Sequence, residues 1–121
     1  MTGSRPPTKV PKPWGHEIIW AHTDRYAGKI LHVEAGHALS FQYHEHKVET
    51  IYLFSGLLDL EVATAGEPRR CVRLHPGESF HIPAGLRHRM TAIETCDVLE
   101  VSAPELDDIV RLEDRYGRVG P

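Results

Sequence analysis

Apolar positions along the chain fall in short runs cut by glycine or proline, and no run keeps the recurrence of an amphipathic helix before residue 103. The runs cover residues 30–33, 39–44, 50–54, 58–63, 71–74, 80–82, 87–93 and 98–101, with Gly36, Gly56, Gly66, Pro76-Gly77 and Pro83 between them. In one of them Leu58, Leu60 and Val62 alternate with Asp59 and Glu61, the period of a strand with one buried face. Short strands at this close spacing predict an all-β barrel or sandwich. A single short helix is expected near the C-terminus. There Ser102 precedes Glu105 by three residues as a capping box, Pro104 sits in the first turn, and Leu106, Ile109, Val110 and Leu112 follow. Residues 1–13 hold four of the nine prolines and little that can pack, so they read as an extended arm on a single domain spanning 14–121.

Composition narrows the function class. The 121 residues, 40% hydrophobic and 26% charged, have room for one domain. The longest apolar stretch, Ile51-Tyr52-Leu53-Phe54, is far below the roughly 18 to 20 residues of a membrane-spanning helix. The start lacks the apolar run of a secretory signal, so a cytoplasmic protein without a membrane partner is expected. Net charge is −3, with 14 Lys and Arg scattered among 17 Asp and Glu, which argues against a nucleic-acid partner. Cys71 and Cys96 lack a CxxC spacing and read as small buried hydrophobes. Nine histidines are the unusual feature, and positions 37, 44, 46, 81 and 88 lie in or beside two segments that look site-forming.

The first segment runs from Gly36 through Gln42-Tyr43-His44-Glu45-His46-Lys47-Val48-Glu49 to Gly56; the second is Gly77-Glu78-Ser79-Phe80-His81-Ile82-Pro83-Ala84-Gly85-Leu86-Arg87-His88. On a strand, residues 42, 44 and 46 share a face. A turn at 46–48 would let Glu49 aim back from a second strand, and Pro83 with Gly85 would bend the chain to deliver His88 onto a third.

These segments resemble the paired motifs of the cupin superfamily, G-x5-HxH-x3,4-E-x6-G and G-x5-PxG-x2-H-x3-N. Every spacing is met; Gln42 stands for the first histidine and Ala92 for the closing Asn. The resemblance implies a double-stranded β-helix, or jelly-roll barrel, that brings one divalent metal to its interior, with Gln42, His44, Glu49 and His88 as ligands. Two imidazoles and a carboxylate suit Zn, Mn, Fe, Co or Ni, and four protein ligands leave a position for Lewis-acid chemistry. His46 has three open readings: a fifth ligand, an acid or base above the metal, or a solvated turn residue.

A closer resemblance extends over residues 12–118. Lys12-Pro13-Trp14-Gly15, Gly28-Lys29-Ile30, Leu39 to His44, Ile82 to Arg89, Glu100-Val101, Asp107 to Arg111 and Asp114 to Arg118 are similar to the C-terminal cupin domain of type II phosphomannose isomerases. The resemblance implies interconversion of mannose 6-phosphate and fructose 6-phosphate, with His46 as the first candidate for the base and Lys47 and Arg89 as cationic partners of the substrate. If His88 points inward, parity starts Arg87 and Arg89 outward. Lys47 replaces the Arg usual after the HxH motif, losing its planar fork. The expected function is thus a metal-dependent sugar isomerase. A non-catalytic cupin that binds a sugar or carboxylate and a non-haem iron dioxygenase built on His44, His88 and Glu49 stand as alternatives. A homodimer is expected, because a barrel of this size leaves edge strands to be paired and the arm is placed to exchange between protomers.

Overall fold

The computed structural model describes Ser4 and residues 6–119, so Met1–Gly3 and Arg5 of the expected arm lie outside the described residues. Among the described residues nine strands make up the fold: β1 (Thr8–Lys12), β2 (Gly15–His22), β3 (Ala27–Val33), β4 (Phe41–Tyr43), β5 (Glu49–Ala63), β6 (Arg70–Leu74), β7 (Ser79–Ile82), β8 (Arg87–Ser102) and β9 (Val110–Glu113). The chain is all-β, as its punctuated pattern predicts. Part of the arm, β1, is an edge strand paired antiparallel with β2 of the same chain.

The expected C-terminal helix does not form. Ser102 closes β8, residues 104–107 turn, and Val110–Glu113 pair with β4 as strand β9. The apolar residues that read as a helical stripe do different work: Leu106 and Ile109 line a pocket while Leu112 is exposed. Four or five helical hydrogen bonds are a weak local preference, and a partner strand with free backbone groups outweighs them.

Two strands are longer than their sequence punctuation suggests. Residues 50–54 and 58–63 join into the single bent strand β5, and 87–93 and 98–101 into β8. The join in β5 is made at Gly56, where register shifts against β8 mark bulges and φ is +94°. A Cβ at that position would lie 2.3 Å from the Thr95 carbonyl oxygen, so only glycine lets the two long strands bend together.

The bends make two layers. The first half of β5 pairs with β7 and with the second half of β8, which continues to β3, β2 and β1. The second half of β5 pairs with β6 and with the first half of β8, which continues to β4 and β9. Buried positions alternate along both: Ile51 and Leu53, then Leu58, Leu60 and Val62 on β5; Met90 and Ala92, then Cys96 and Val98 on β8. Together with Leu31, Val33 and Ile82 they form one core between the layers. Cys96 is part of it, whereas Cys71, also expected inside, is exposed on β6. No helix among the described residues is long and apolar enough to cross a membrane.

Candidate metal centre and its pocket

Polar side chains on the inward parity of apolar strands mark the site. Gln42 sits mid-β4, His44 just beyond it, Glu49 opens β5 and His88 is the second residue of β8. All four are buried, His88 to within 1% of full burial. Gln42 stands directly opposite His88 across β4 and β8, and the Gly85 amide donates to the His44 carbonyl oxygen at 2.8 Å, which clamps the second motif's turn to the first.

One carboxylate oxygen, Glu49 Oε1, lies 3.2 Å from Nε2 of His44 and 3.2 Å from Nε2 of His88. Donor atoms of the three residues lie within 4.8 Å of one another. The other nitrogen of each ring faces a main-chain carbonyl, Asp108 for His44 at 2.5 Å and Leu86 for His88 at 3.0 Å. A carbonyl only accepts, so each Nδ1 carries the proton and each neutral ring turns its Nε2 lone pair toward the carboxylate. Three acceptors then converge, and His88 Nε2 is buried without a hydrogen-bond partner. Such a cluster is unfavourable unless positive charge sits inside it, and nitrogen and carboxylate donors are the chemistry of a first-row divalent ion. The residues present therefore fit the metal their spacing implies. Gln42 Oε1 accepts from the Ser40 hydroxyl at 2.5 Å, which fixes the amide beside them.

Charge around the centre is ordered by burial. Desolvation pushes Glu49 up, but when protons rather than a metal ion occupy the two Nε2 positions, hydrogen bonds from His44 and His88, with the Lys47 ammonium, outweigh it and hold its carboxyl well below the ordinary range. Lys47 Nζ is 3.8 Å from Glu49 Oε2. Glu100, on β8 and fully enclosed, goes the other way: burial first, and then the neighbouring Glu49 charge, raise it to about 8.

A pocket of about 430 Å³ opens onto this centre. Trp14, Leu31 and Met90 supply apolar wall, while Lys29, Glu100 and Arg111 add ionisable groups.

Of the sequence-predicted residues, the fold brings Gln42, His44, Glu49, His88 and Lys47 together and leaves two outside. His46 is exposed on the turn, because the chain leaves strand geometry after Tyr43 and the parity that linked 42, 44 and 46 ends there. Arg89 points outward, as its alternation with the buried His88 demands, and its Nε donates to Glu61 Oε2 at 2.6 Å. Arg87 is likewise outside, stacked 3.9 Å over the Tyr43 ring.

Lys29, Glu100 and Arg111 line the pocket although they lie outside both paired motifs. A signal existed for the first two: Lys29 shares the parity of Ala27, Leu31 and Val33, and Glu100 that of Cys96 and Val98, so each is a charge on an apolar face. For Arg111 the signal was hidden by the expectation of a helix.

Comparison with known proteins gives a family and a fold. Residues 4–114 match the family described as mannose-6-phosphate isomerase C-terminal. Mannose-1-phosphate guanylyltransferase ManC of Salmonella typhimurium is 34% identical over 116 residues, covering 92% of this chain and 23% of that protein. Xanthan biosynthesis protein XanB of Xanthomonas campestris is 35% identical over 115 residues, covering 91% and 24%. The chain thus spans about a quarter of the length of these relatives. Among solved structures, capsular polysaccharide assembling protein CapF of Staphylococcus aureus superposes with a TM-score of 0.76 at 18% identity, over 92% of this chain and 35% of that one. Oxalate decarboxylase of Bacillus subtilis gives 0.78 at 14%, over 92% and 33%. At such identities the likeness shows the fold alone, a cupin barrel.

Proposed function

We propose that this chain, which belongs to the mannose-6-phosphate isomerase C-terminal family of cupin domains, is a metal-dependent aldose-ketose isomerase acting on a sugar phosphate. The observation that carries the reading is the convergence of His44, Glu49 and His88 beside a pocket lined by His44 and Glu49 together with Lys29, Lys47 and Arg111. Lys29 and Lys47 are matched by Glu17 and Glu49, whereas Arg111 has no carboxylate partner among the described residues, which leaves room for one anionic group on the ligand.

Interconversion of mannose 6-phosphate and fructose 6-phosphate moves the carbon-bound hydrogen from C2 to C1 and the hydroxyl proton from O2 to O1. Nothing is gained or lost, so no redox partner is required. A divalent ion held by His44, Glu49, His88 and Gln42 would supply polarisation of the two substrate oxygens. The chain's own residues do the rest. Lys47, 4% exposed, presents an ammonium where negative charge builds on the oxygens as the C2 proton leaves. Trp14, Leu31 and Met90 exclude water and so strengthen that interaction. With His46 exposed on the turn, proton carriage falls to groups beside Glu49 other than the two imidazoles, Lys47 and Glu100.

The test is elemental analysis of the purified chain together with an assay for fructose 6-phosphate formed from mannose 6-phosphate. Stoichiometric metal that disappears in His44→Ala/His88→Ala, with ketose accumulating only in the loaded wild type, is expected. Metal-loaded protein that binds the sugar phosphate without producing ketose would instead make this a binding domain.

The functional unit is proposed to be a homodimer built on the outer face of the β1-β2-β3-β8-β5-β7 layer. Ile18, Ile30, Leu99 and Tyr52 stand opposite one another across four strands of it. Trp20, Phe54 and Val101 beside them are 54%, 65% and 54% exposed. Together they leave roughly 500 Å² of apolar surface in one patch, the size that marks an interaction site. Among the described residues Lys9, Glu34 and Asp97 carry formal charge on this face, the two carboxylates beside His32, so its apolar rows suit a self-complementary partner. A two-fold contact buries the patch on both copies, about 1,000 Å² in all, where specific interfaces begin. Light scattering after gel filtration should give a dimer for the wild type and a folded monomer for Phe54→Glu/Val101→Glu; a monomeric wild type overturns the assignment.

A further inference from the structure

We infer that Arg111 receives the anionic group of the ligand that binds at this centre, on a row of side chains running His88, Gln42, Arg111 across β8, β4 and β9. The inference rests on the proposed function for its site and names the chemical class of the ligand, a phosphate monoester or a carboxylate.

Register places the row. Gln42 pairs with His88 on one side and with Arg111 on the other. Directly opposed residues in antiparallel strands project to the same face, with Cβ atoms about 5 Å apart. Arg111 therefore stands on the pocket side of β9, two strand spacings, ~10 Å, from His88. That separation matches an open-chain hexose phosphate lying with its carbonyl end at the centre and its phosphate toward the rim. Arg111 also lines the pocket itself.

The other pocket cations already have carboxylate partners. Lys29 and Lys12 share Glu17 at 3.5 and 3.9 Å, Lys47 has Glu49 at 3.8 Å, and Arg118 has Asp114 at 2.9 Å. Among the described residues no carboxylate lies within ion-pair range of Arg111, and its buried Nε has no hydrogen-bond partner. A buried donor left unmade is unfavourable, and on a guanidinium it is an open half of a fork shaped for two oxygens. Lys47, standing where the resemblance expects arginine, is engaged with Glu49 and offers no planar fork. Arg111 supplies the one that is free.

Calorimetric titration of the zinc-loaded chain with mannose 6-phosphate, mannuronate and neutral mannose tests this. Arg111→Gln should weaken one anionic sugar about 10- to 100-fold, which is about 1.4 to 2.8 kcal/mol, and leave mannose and the zinc content unchanged. Arg111→Lys should recover part of the loss, since charge returns without the fork. Loss confined to mannose 6-phosphate identifies a phosphate ligand and loss confined to mannuronate a carboxylate; either supports the assignment. Unchanged affinity for both anions, an equal loss for neutral mannose, or no measurable binding of either anion to the wild type overturns it. Arg111-dependent binding without ketose production would remove the isomerase reading and keep this one, and turnover with Arg111-independent binding would do the reverse.

Discussion

His44 donates its Nδ1 proton to the main-chain carbonyl of Asp108 at 2.5 Å, so a residue 64 positions along the chain sets the tautomer of a proposed ligand. The Asp108 side chain completes the clamp by accepting from the amides of Glu45, His46 and Lys47 at 2.9, 2.7 and 2.8 Å. These amides hold the turn that carries the chain from His44 to Glu49. Asp108→Ala should lower metal affinity about 10- to 100-fold, the usual effect of removing an outer partner of a ligand, while leaving the β-sheet circular dichroism intact. Competition against a chromogenic chelator measures it, and an affinity equal to wild type would show the turn holds itself.

Metal should also stabilise the fold. Binding to the native state alone adds about 4 kcal/mol at a thousandfold excess over Kd. Chelation is therefore expected to lower the melting temperature of the wild type. Glu49→Gln and His88→Ala should melt at the same temperature with and without metal, because each removes a donor from the cluster. A metal-dependent shift that survives in either variant would locate the ion elsewhere.

Two residues that the motifs single out should prove dispensable for turnover. His46 is exposed, and His46→Ala is expected to change stability by no more than about 0.5 kcal/mol and ketose formation by less than about twofold. Arg89 braces the outer wall through Glu61, with Glu113 3.6 Å away. Arg89→Ala should lower stability by about 1 kcal/mol without altering KM. Rates and urea midpoints of the two variants check both, and a hundredfold fall in either rate would return that residue to the site.

A pH dependence arises far from the pocket. His32 Nδ1 lies 2.8 Å from Asp97 Oδ1, and this hydrogen bond raises the imidazole pKa above its usual 6.5 against a smaller opposing effect of burial. Because the folded-state pKa is the higher one, the stabilisation is full below pH 6.5 and is lost as pH rises through the raised value. The pair is partly exposed, so about 0.5 to 1 kcal/mol is expected. Asp97→Asn should lower the urea midpoint at pH 5.5 and leave it nearly unchanged at pH 8.5.

Gly56 closes the first motif for a structural reason. With φ at +94° and the Thr95 carbonyl 2.3 Å from where a Cβ would stand, Gly56→Ala should cost about 2 to 4 kcal/mol, measured by urea unfolding. An alanine variant as stable as wild type would mean that the paired bulges can slide apart.

The strand class and the inward positions of His44, Glu49 and His88 were legible in the sequence. Each is a local property: the two-residue period of Leu58 to Val62 follows from strand geometry, and the motif spacings survive because the turns between them are short. Gln42 was legible for the same reason, since it lies on a true strand. His46, three residues past the end of β4, is exposed because the alternation stops at Tyr43, which fits the solvated-turn reading among the three its position left open.

The remaining features depend on pairing partners distant in the chain. The segment after Ser102 has both helical capping signals and strand-forming residues, and it became β9 because β4 offers it an open edge. That pairing sets Arg111 opposite Gln42 and Asp108 beneath the ligand turn. Neither relation leaves a trace in local periodicity, because the free energy that selects them comes from hydrogen bonds and burial between residues more than 60 positions apart.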